Sequence, residues 1–222
     1  MIEMRIIFLL GLLLLINSVI RAQNLEFSGT IATNTSWDYD TVFLSGDVTI
    51  PADVILEISA GTKVISQAYY RIDVYGGINA MGNIDNMILF SVLDKTGFSD
   101  STDYAAGAWD GLHFHNNAGN KTGTNMHYCQ VEYCKALNTG NYKGGGIYVD
   151  NYNHLTINHC RIENNIAKSS GGGLFSNTGI DILNSEFNLN KAGQSGGALA
   201  FAGDVKPYVD HNIFYGNFTY QW

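Results

Sequence analysis

Apolar positions along this 222-residue chain alternate in short runs and never settle into a helical period. Leu155 and Ile157 alternate with polar neighbours, as do Ile180 and Ile182, and Gly, Asn and Ser separate such runs. A period of two bounded by turn residues predicts short, half-buried strands. The N-terminal half has the same texture in Val42-Phe43-Leu44, Val48-Thr49-Ile50, Val54 to Ile58, Lys63-Val64-Ile65, Ile72-Asp73-Val74 and Ile88-Leu89-Phe90. Ser45-Gly46, Ala60-Gly61, Gly76-Gly77 and Gly82-Asn83 are expected turns between these runs. Helical repeats would need amphipathic windows of about a dozen residues, and the sequence contains none.

Longer-range self-similarity organises these strands. Gly144-Gly145-Gly146-Ile147, Gly171-Gly172-Gly173-Leu174 and Gly196-Gly197-Ala198-Leu199 recur at spacings of 27 and 25 residues, with a weaker copy at Trp109-Asp110-Gly111-Leu112. A second element follows each copy, and its alignment sets Val131, Ile162, Phe187 and Phe214 in one column and Cys134, Asn165, Asn190 and Asn217 in another. Units of about 25 residues cannot bury a face alone, but stacking at about 4.8 Å pairs the backbone of each unit with the next. The first column is then expected to form a dry internal stack. The second is expected to form an amide ladder at a turn, where asparagine also tolerates left-handed backbone. The fold class expected is all-β, a right-handed parallel β-helix solenoid of seven or eight coils over residues 23–222.

Ser45 to Ile58 with Gly61-Thr62-Lys63-Val64, Gly76 to Gly82 and Trp109-Asp110-Gly111-Leu112 resemble the opening coils of secreted bacterial right-handed parallel β-helix proteins of the pectin-lyase-like superfamily. The later Gly-Gly-(Ala/Gly)-(Ile/Leu) and Phe-x-x-Asn elements are similar to the repeats of polymorphic outer membrane proteins. The resemblance spans about residues 40–217. It implies an extracellular or surface module of adhesin or passenger type, in a superfamily that also contains lyases and hydrolases. Members of that kind usually continue through more coils, so a chain stopping at Gln221-Trp222 reads as truncated, with an open sheet edge on its last coil.

Charge and composition narrow the partners. Only 14% of residues are charged and the formal net charge is −8, with no basic cluster. Nucleic acid and anionic lipid are therefore poor partners. Arg5, the uncharged run Ile6 to Ile16 and a small-residue site ending at Ala22 read as a signal peptide over residues 1–22. The run is too short for a spanning helix, and the mature chain offers no other candidate. The expected location is secreted or cell-surface.

Candidate chemistry is sparse. His113 and His115 flank Phe114, so in an extended strand both point one way, near Asp110. That spacing could bind a metal or perform acid/base work, although two exposed histidines with no carboxylate in register is the preferred reading. Glu132, Glu163 and Glu186 are expected to share one column. Stacked carboxylates would raise one another's pKa and suit a glycosidase, with a solvated outer stripe preferred. Tyr142, Tyr148, Tyr152 and Trp109 could stack on a sugar ring. Asp38, Asp40, Asp100 and Asp103 are assigned to solvated loops. Cys129 and Cys160 are expected to stack as structural residues, leaning to free thiols, and the three cysteines do not match a zinc site.

These features favour a non-catalytic module that recognises glycans or surface proteins, with no cofactor and no metal. The alternative is a polysaccharide lyase or glycoside hydrolase using Asp110, His113 and His115.

Overall fold

A computed structural model describes residues 23–115, 124–138, 142–152 and 154–220, so the expected signal segment lies outside the described residues. Among the described residues there is no helix, and every strand pairing is parallel. The chain winds through three strand faces per coil. The first face begins with Asn24–Thr30 and the first half of Thr41–Ile50, and it continues through Lys63–Ser66, Ile88–Val92, Cys129–Glu132, Arg161–Glu163 and Glu186–Asn188 to Ile213–Tyr215. The second face runs from the other half of Thr41–Ile50 through Arg71–Val74, Gly111–Phe114, Ile147–Val149 and Leu174–Ser176 to Leu199–Phe201. The third is the seven-stranded sheet from Thr35–Trp37 to Tyr208–Asp210. A four-stranded ladder, Lys135–Ala136, Ile166–Ala167, Lys191–Ala192 and Phe218–Thr219, closes the corner between the first two faces in the later coils. The result is an all-β parallel solenoid, with seven coils and the first strands of an eighth among the described residues.

Alternation sends every second side chain inward. Val131 pairs with Ile162, Ile162 with Phe187 and Phe187 with Phe214, as the repeat predicts. The same stack extends back through Phe90 and Val64 to Val42. From Val42 to Phe187 these side chains are essentially inaccessible to solvent. Each such burial contributes roughly 1.5–3 kcal/mol. On the last described strand of this face Ile213, Phe214 and Tyr215 are exposed.

The glycine elements superpose coil on coil, with Ile147 over Leu174 and Leu174 over Leu199. A Cβ on Gly172 would lie 2.3 Å from the carbonyl oxygens of both Gly197 and Lys191, so only glycine fits where these backbones touch.

Three expectations about turns are corrected. Ser45-Gly46 is not a chain reversal: Thr41–Ile50 is one strand that passes between two faces. Gly77 opens the strand Gly77–Met81 rather than ending a turn. The ladder asparagines do not hold the left-handed backbone themselves. That conformation falls on the residue before each rung, at Tyr133, Asn164, Leu189 and Gly216, with φ between 53° and 64°.

The amide ladder itself is present. The Asn165 N–H and Nδ2 both donate to Asn190 Oδ1, and the Asn190 N–H and Nδ2 both donate to Asn217 Oδ1. The remaining amide protons reach carbonyls inside the coil: Asn165 to Val131, Asn190 to Ile162 and Asn217 to Phe187. A second ladder stands at another corner. The Cys129 N–H points at Cys160 Sγ, the Cys160 N–H donates to Ser185 Oγ, and the Ser185 N–H donates to Asn212 Oδ1. Cys129, Cys134 and Cys160 are buried free thiols.

Candidate functional site

Register builds the candidate site on the outer side of the second face. Asp73, His113, Tyr148 and Phe175 occupy one outward column on successive coils. Their strand neighbours Ile72, Leu112, Phe114, Ile147 and Val149 point into the core and fix the outward direction of the intervening side chains. The structure thus supplies what the sequence reading lacked, a carboxylate in register with the histidines. Nor are both histidines exposed: His113 is buried, and the His115 side chain retains 24% of its accessible surface.

The polar groups form a connected network. His115 Nε2 lies 2.6 Å from Asp73 Oδ1, and Arg71 Nε donates to Asp73 Oδ2 at 2.9 Å. Arg71 also reaches Asp110 Oδ2 at 3.6 Å. His113 Nε2 is 2.7 Å from the Asp110 carbonyl oxygen. A carbonyl only accepts, so this nitrogen carries the proton. The Tyr69 hydroxyl, with one proton, faces two acceptors: Asp110 Oδ1 at 2.8 Å and the Lys135 carbonyl at 2.5 Å.

Burial and pairing pull these groups apart. Burial raises the Asp110 carboxyl above its ordinary range, against the opposing effects of His113, Tyr69 and Arg71. Asp73 also loses solvation, but hydrogen bonds from His115 and Arg71 outweigh that loss and hold it below the usual carboxylate range. Burial lowers His113, keeping its imidazole neutral at neutral pH. The site therefore holds an ionised carboxylate beside a guanidinium, and a second carboxyl that retains its proton more readily.

Rings continue from the network along the face. Tyr75 stacks on His115 with centroids 4.7 Å apart, His113 lies 5.7 Å from Tyr148, and Tyr148 stacks on Phe175 at 5.8 Å. Tyr75 is exposed and Tyr148 half-buried, while Lys143 Nζ covers the Phe175 ring at 4.6 Å. Trp109 and Tyr152 are wholly buried in the core, which removes both as sugar-stacking candidates. On the other side of Asp110, Tyr69 meets Tyr104 edge-on at 4.7 Å. Tyr104, Ser101, Thr102, Leu137 and Lys168 line an open cavity of about 330 Å³ beside the corner ladder.

The glutamates divide. Glu132 and Glu163 are directly paired on adjacent coils, and Gln130 Nε2 donates to both at 2.9 Å. Glu186 is not in their column. It pairs with Arg161, because it precedes the inward Phe187 whereas Glu163 follows the inward Ile162. Glu132 is further tied to Ser91 and Lys95 at 2.8 and 2.7 Å, an ion-paired strip rather than an open acid pair.

Partial burial and the Glu132 charge raise Glu163 above its ordinary value. The folded state then favours the protonated form, so ionisation of Glu163 costs stability as pH rises through its folded pKa. Glu163→Gln is expected to melt about one degree above the wild type at pH 7. The gap should close as the pH falls below the ordinary glutamate value, where Glu163 is protonated in the folded and unfolded chain alike, and thermal melts at neutral and acid pH measure it. The effect is small because Glu163 is itself partly exposed, and solvent screens its charge to below about 1 kcal/mol.

Asp100 and Asp103 accept from the Thr102 and Ala105 amides of their own loop. The sequence reading missed Arg71, Asp73 and the buried Lys135. Asp73 was visible only as the polar residue between Ile72 and Val74, and its register with His113 depends on the intervening loop of residues 93–108.

No protein-family model, curated protein or solved structure matches this chain. Among the described residues no helix is long and apolar enough to cross a membrane.

Proposed function

We propose that this protein is an exported, non-catalytic β-solenoid module, secreted or held at the cell surface, that recognises glycan or protein partners in the manner of an adhesin or passenger domain. The observation that carries this reading is the track of rings on the second face, beginning at the charged Arg71–Asp73–His115 network and passing through Tyr75 to Tyr148. Ring faces at successive coils suit stacking on the apolar faces of sugars, while the adjoining polar groups accept and donate to hydroxyls. The in-register Gly-Gly-(Ala/Gly)-(Ile/Leu) and Phe-x-x-Asn elements are the support for membership among pectin-lyase-like proteins with polymorphic outer membrane protein-like repeats. Residues 1–22 support export.

Binding to a panel of plant and algal polysaccharides tests the reading. Tyr148→Ala should lower affinity for any bound glycan by about tenfold, the range expected on loss of one stacking ring. Unchanged binding in that variant would place recognition elsewhere.

A second reading, a polysaccharide lyase or hydrolase, is favoured by one arrangement: a buried Asp110 whose pKa is raised, linked through Arg71 to the His115–Asp73 pair. Unsaturated or reducing-end products from the same panel, abolished by Asp110→Ala or His113→Ala, would replace the recognition reading with this one.

A further inference from the structure

We infer that Asp73, His113 and His115 form a binding site for a divalent transition metal of the zinc class. One ligand atom from each of the three lies within 4.8 Å of the others, so a closure of about 1.5 Å at most, within the reach of side-chain rotation, brings them to the roughly 3.3 Å spacing of ligands around one tetrahedral ion. Two ligands come from alternate positions of one rigid strand, Gly111–Phe114 and the residue after it. The third comes from the paired strand Arg71–Val74. Buried Phe114 between the histidines holds both rings on the outer side.

The surroundings are those of held ligands. His113 commits its Nε2–H to the Asp110 carbonyl at 2.7 Å, which fixes the tautomer and leaves the Nδ1 lone pair to coordinate. Metal-bound imidazoles are commonly oriented by such an outer hydrogen bond. Arg71 Nε holds Asp73 Oδ2 at 2.9 Å, leaving Oδ1 directed at His115. Tyr75 stacks on the His115 ring and restrains its rotation. Asp73 Oδ1 and His115 Nε2 now share a proton at 2.6 Å. A metal with bonds of about 2.0–2.2 Å would displace that proton, which a neutral imidazole then carries on Nδ1, and spread the two atoms by roughly 0.7–1 Å to the spacing of a tetrahedral angle.

Donor chemistry selects the ion. Two imidazole nitrogens and one carboxylate suit Zn²⁺ and its neighbours Ni²⁺ and Cu²⁺, whereas Ca²⁺ takes six to eight oxygens. Three protein ligands leave a fourth position open to an exogenous oxygen. The inference stands independently of glycan recognition, since it requires only these three side chains.

Isothermal titration of the metal-stripped protein with ZnCl₂ tests the site, with visible absorption of the Co²⁺ form reporting nitrogen coordination. One equivalent is expected to bind. His115→Gln and Asp73→Asn should each weaken binding at least 100-fold, and Arg71→Met, which removes a positioning group, by 10–100-fold. His115 is partly exposed, so His115→Gln is the informative variant should substitution of buried His113 impair folding. Circular dichroism of each variant checks the fold. Absence of stoichiometric Zn²⁺ binding by the folded wild type would overturn the inference. So would unchanged affinity in His115→Gln, which would place the metal elsewhere, such as the neighbouring His127 and His159 rings, 5.4 Å apart.

Discussion

Asn190→Leu is expected to destabilise the solenoid by about 4 kcal/mol, although the replacement is close in volume and more apolar. Asn190 is fully buried, and its side chain receives two hydrogen bonds from Asn165 and gives one each to the Ile162 carbonyl and Asn217. Leucine would strand the Asn165 N–H and the Ile162 carbonyl inside the coil. Each stranded buried group costs about 1–3 kcal/mol, and leucine also lacks the planar shape that fits between two rungs. Asn217→Leu removes chemically similar bonds but should cost only about 1 kcal/mol, because Asn217 is partly exposed and water can take its place. Solenoid units contact only their neighbours, so the loss should be local. Hydrogen exchange should accelerate at the amides of Asn165 and Arg161–Glu163 while those of Thr41–Ile50 keep their protection. Equal costs for the two substitutions would mean that the ladder bonds contribute no more than their solvated counterparts.

The contrast also explains which parts of the molecule were legible in sequence. Where repeats align without gaps, periodicity sets register, and register sets contacts. The stack from Val131 to Phe214, the Asn165–Asn190–Asn217 ladder and the Cys129–Cys160 column follow from that logic. Glu186 was misplaced because residue type was followed in preference to register. Glu163 and Glu186 flank the inward position on opposite sides, and in a strand that is a separation of two residues. The candidate site was half visible for a different reason. His113 and His115 announce themselves by local alternation, but Asp73 belongs to the earlier coils, whose sequence does not repeat closely. A parallel pairing across an inserted loop leaves no periodic trace. The rung-to-rung backbone strain was hidden as well, since Tyr133 and Leu189 carry left-handed backbone that their side chains do not advertise.

Lys135→Met should be as damaging as the loss of a ladder rung, for reasons the sequence does not display. Lys135 occupies the same corner column as Ile166, Lys191 and Phe218, where an outward lysine would ordinarily be solvated. The 93–108 loop folds over it instead and buries it completely. Its Nζ lies 2.7–3.0 Å from the carbonyl oxygens of Ala106, Asp100 and Asp103, with Gly97 more distant at 3.4 Å. Three short contacts match the three N–H donors of an ammonium. Burial lowers the Lys135 pKa from the ordinary lysine value, while Asp103 and Asp100 favour the charge. The lysine thus acts as a tethered cation around which the loop closes. Methionine keeps the length and apolar stem but leaves those carbonyls without their common donor, at an expected cost of about 3–5 kcal/mol. Arginine should not rescue, because a planar guanidinium cannot serve three carbonyls converging on one point. The consequence reaches the candidate site. Loop residues Ser101, Thr102 and Tyr104 line the adjoining cavity, and Tyr104 packs on Tyr69, which contacts Asp110. In Lys135→Met, limited proteolysis should therefore cut within residues 93–108 at least tenfold faster, with the remainder of the solenoid intact. Asp110 should regain an ordinary carboxylate titration as water enters beside Tyr69. Unchanged cleavage in a variant of unchanged stability would show that the loop is held by its own turns and by Phe98 packing on Tyr133, not by the lysine.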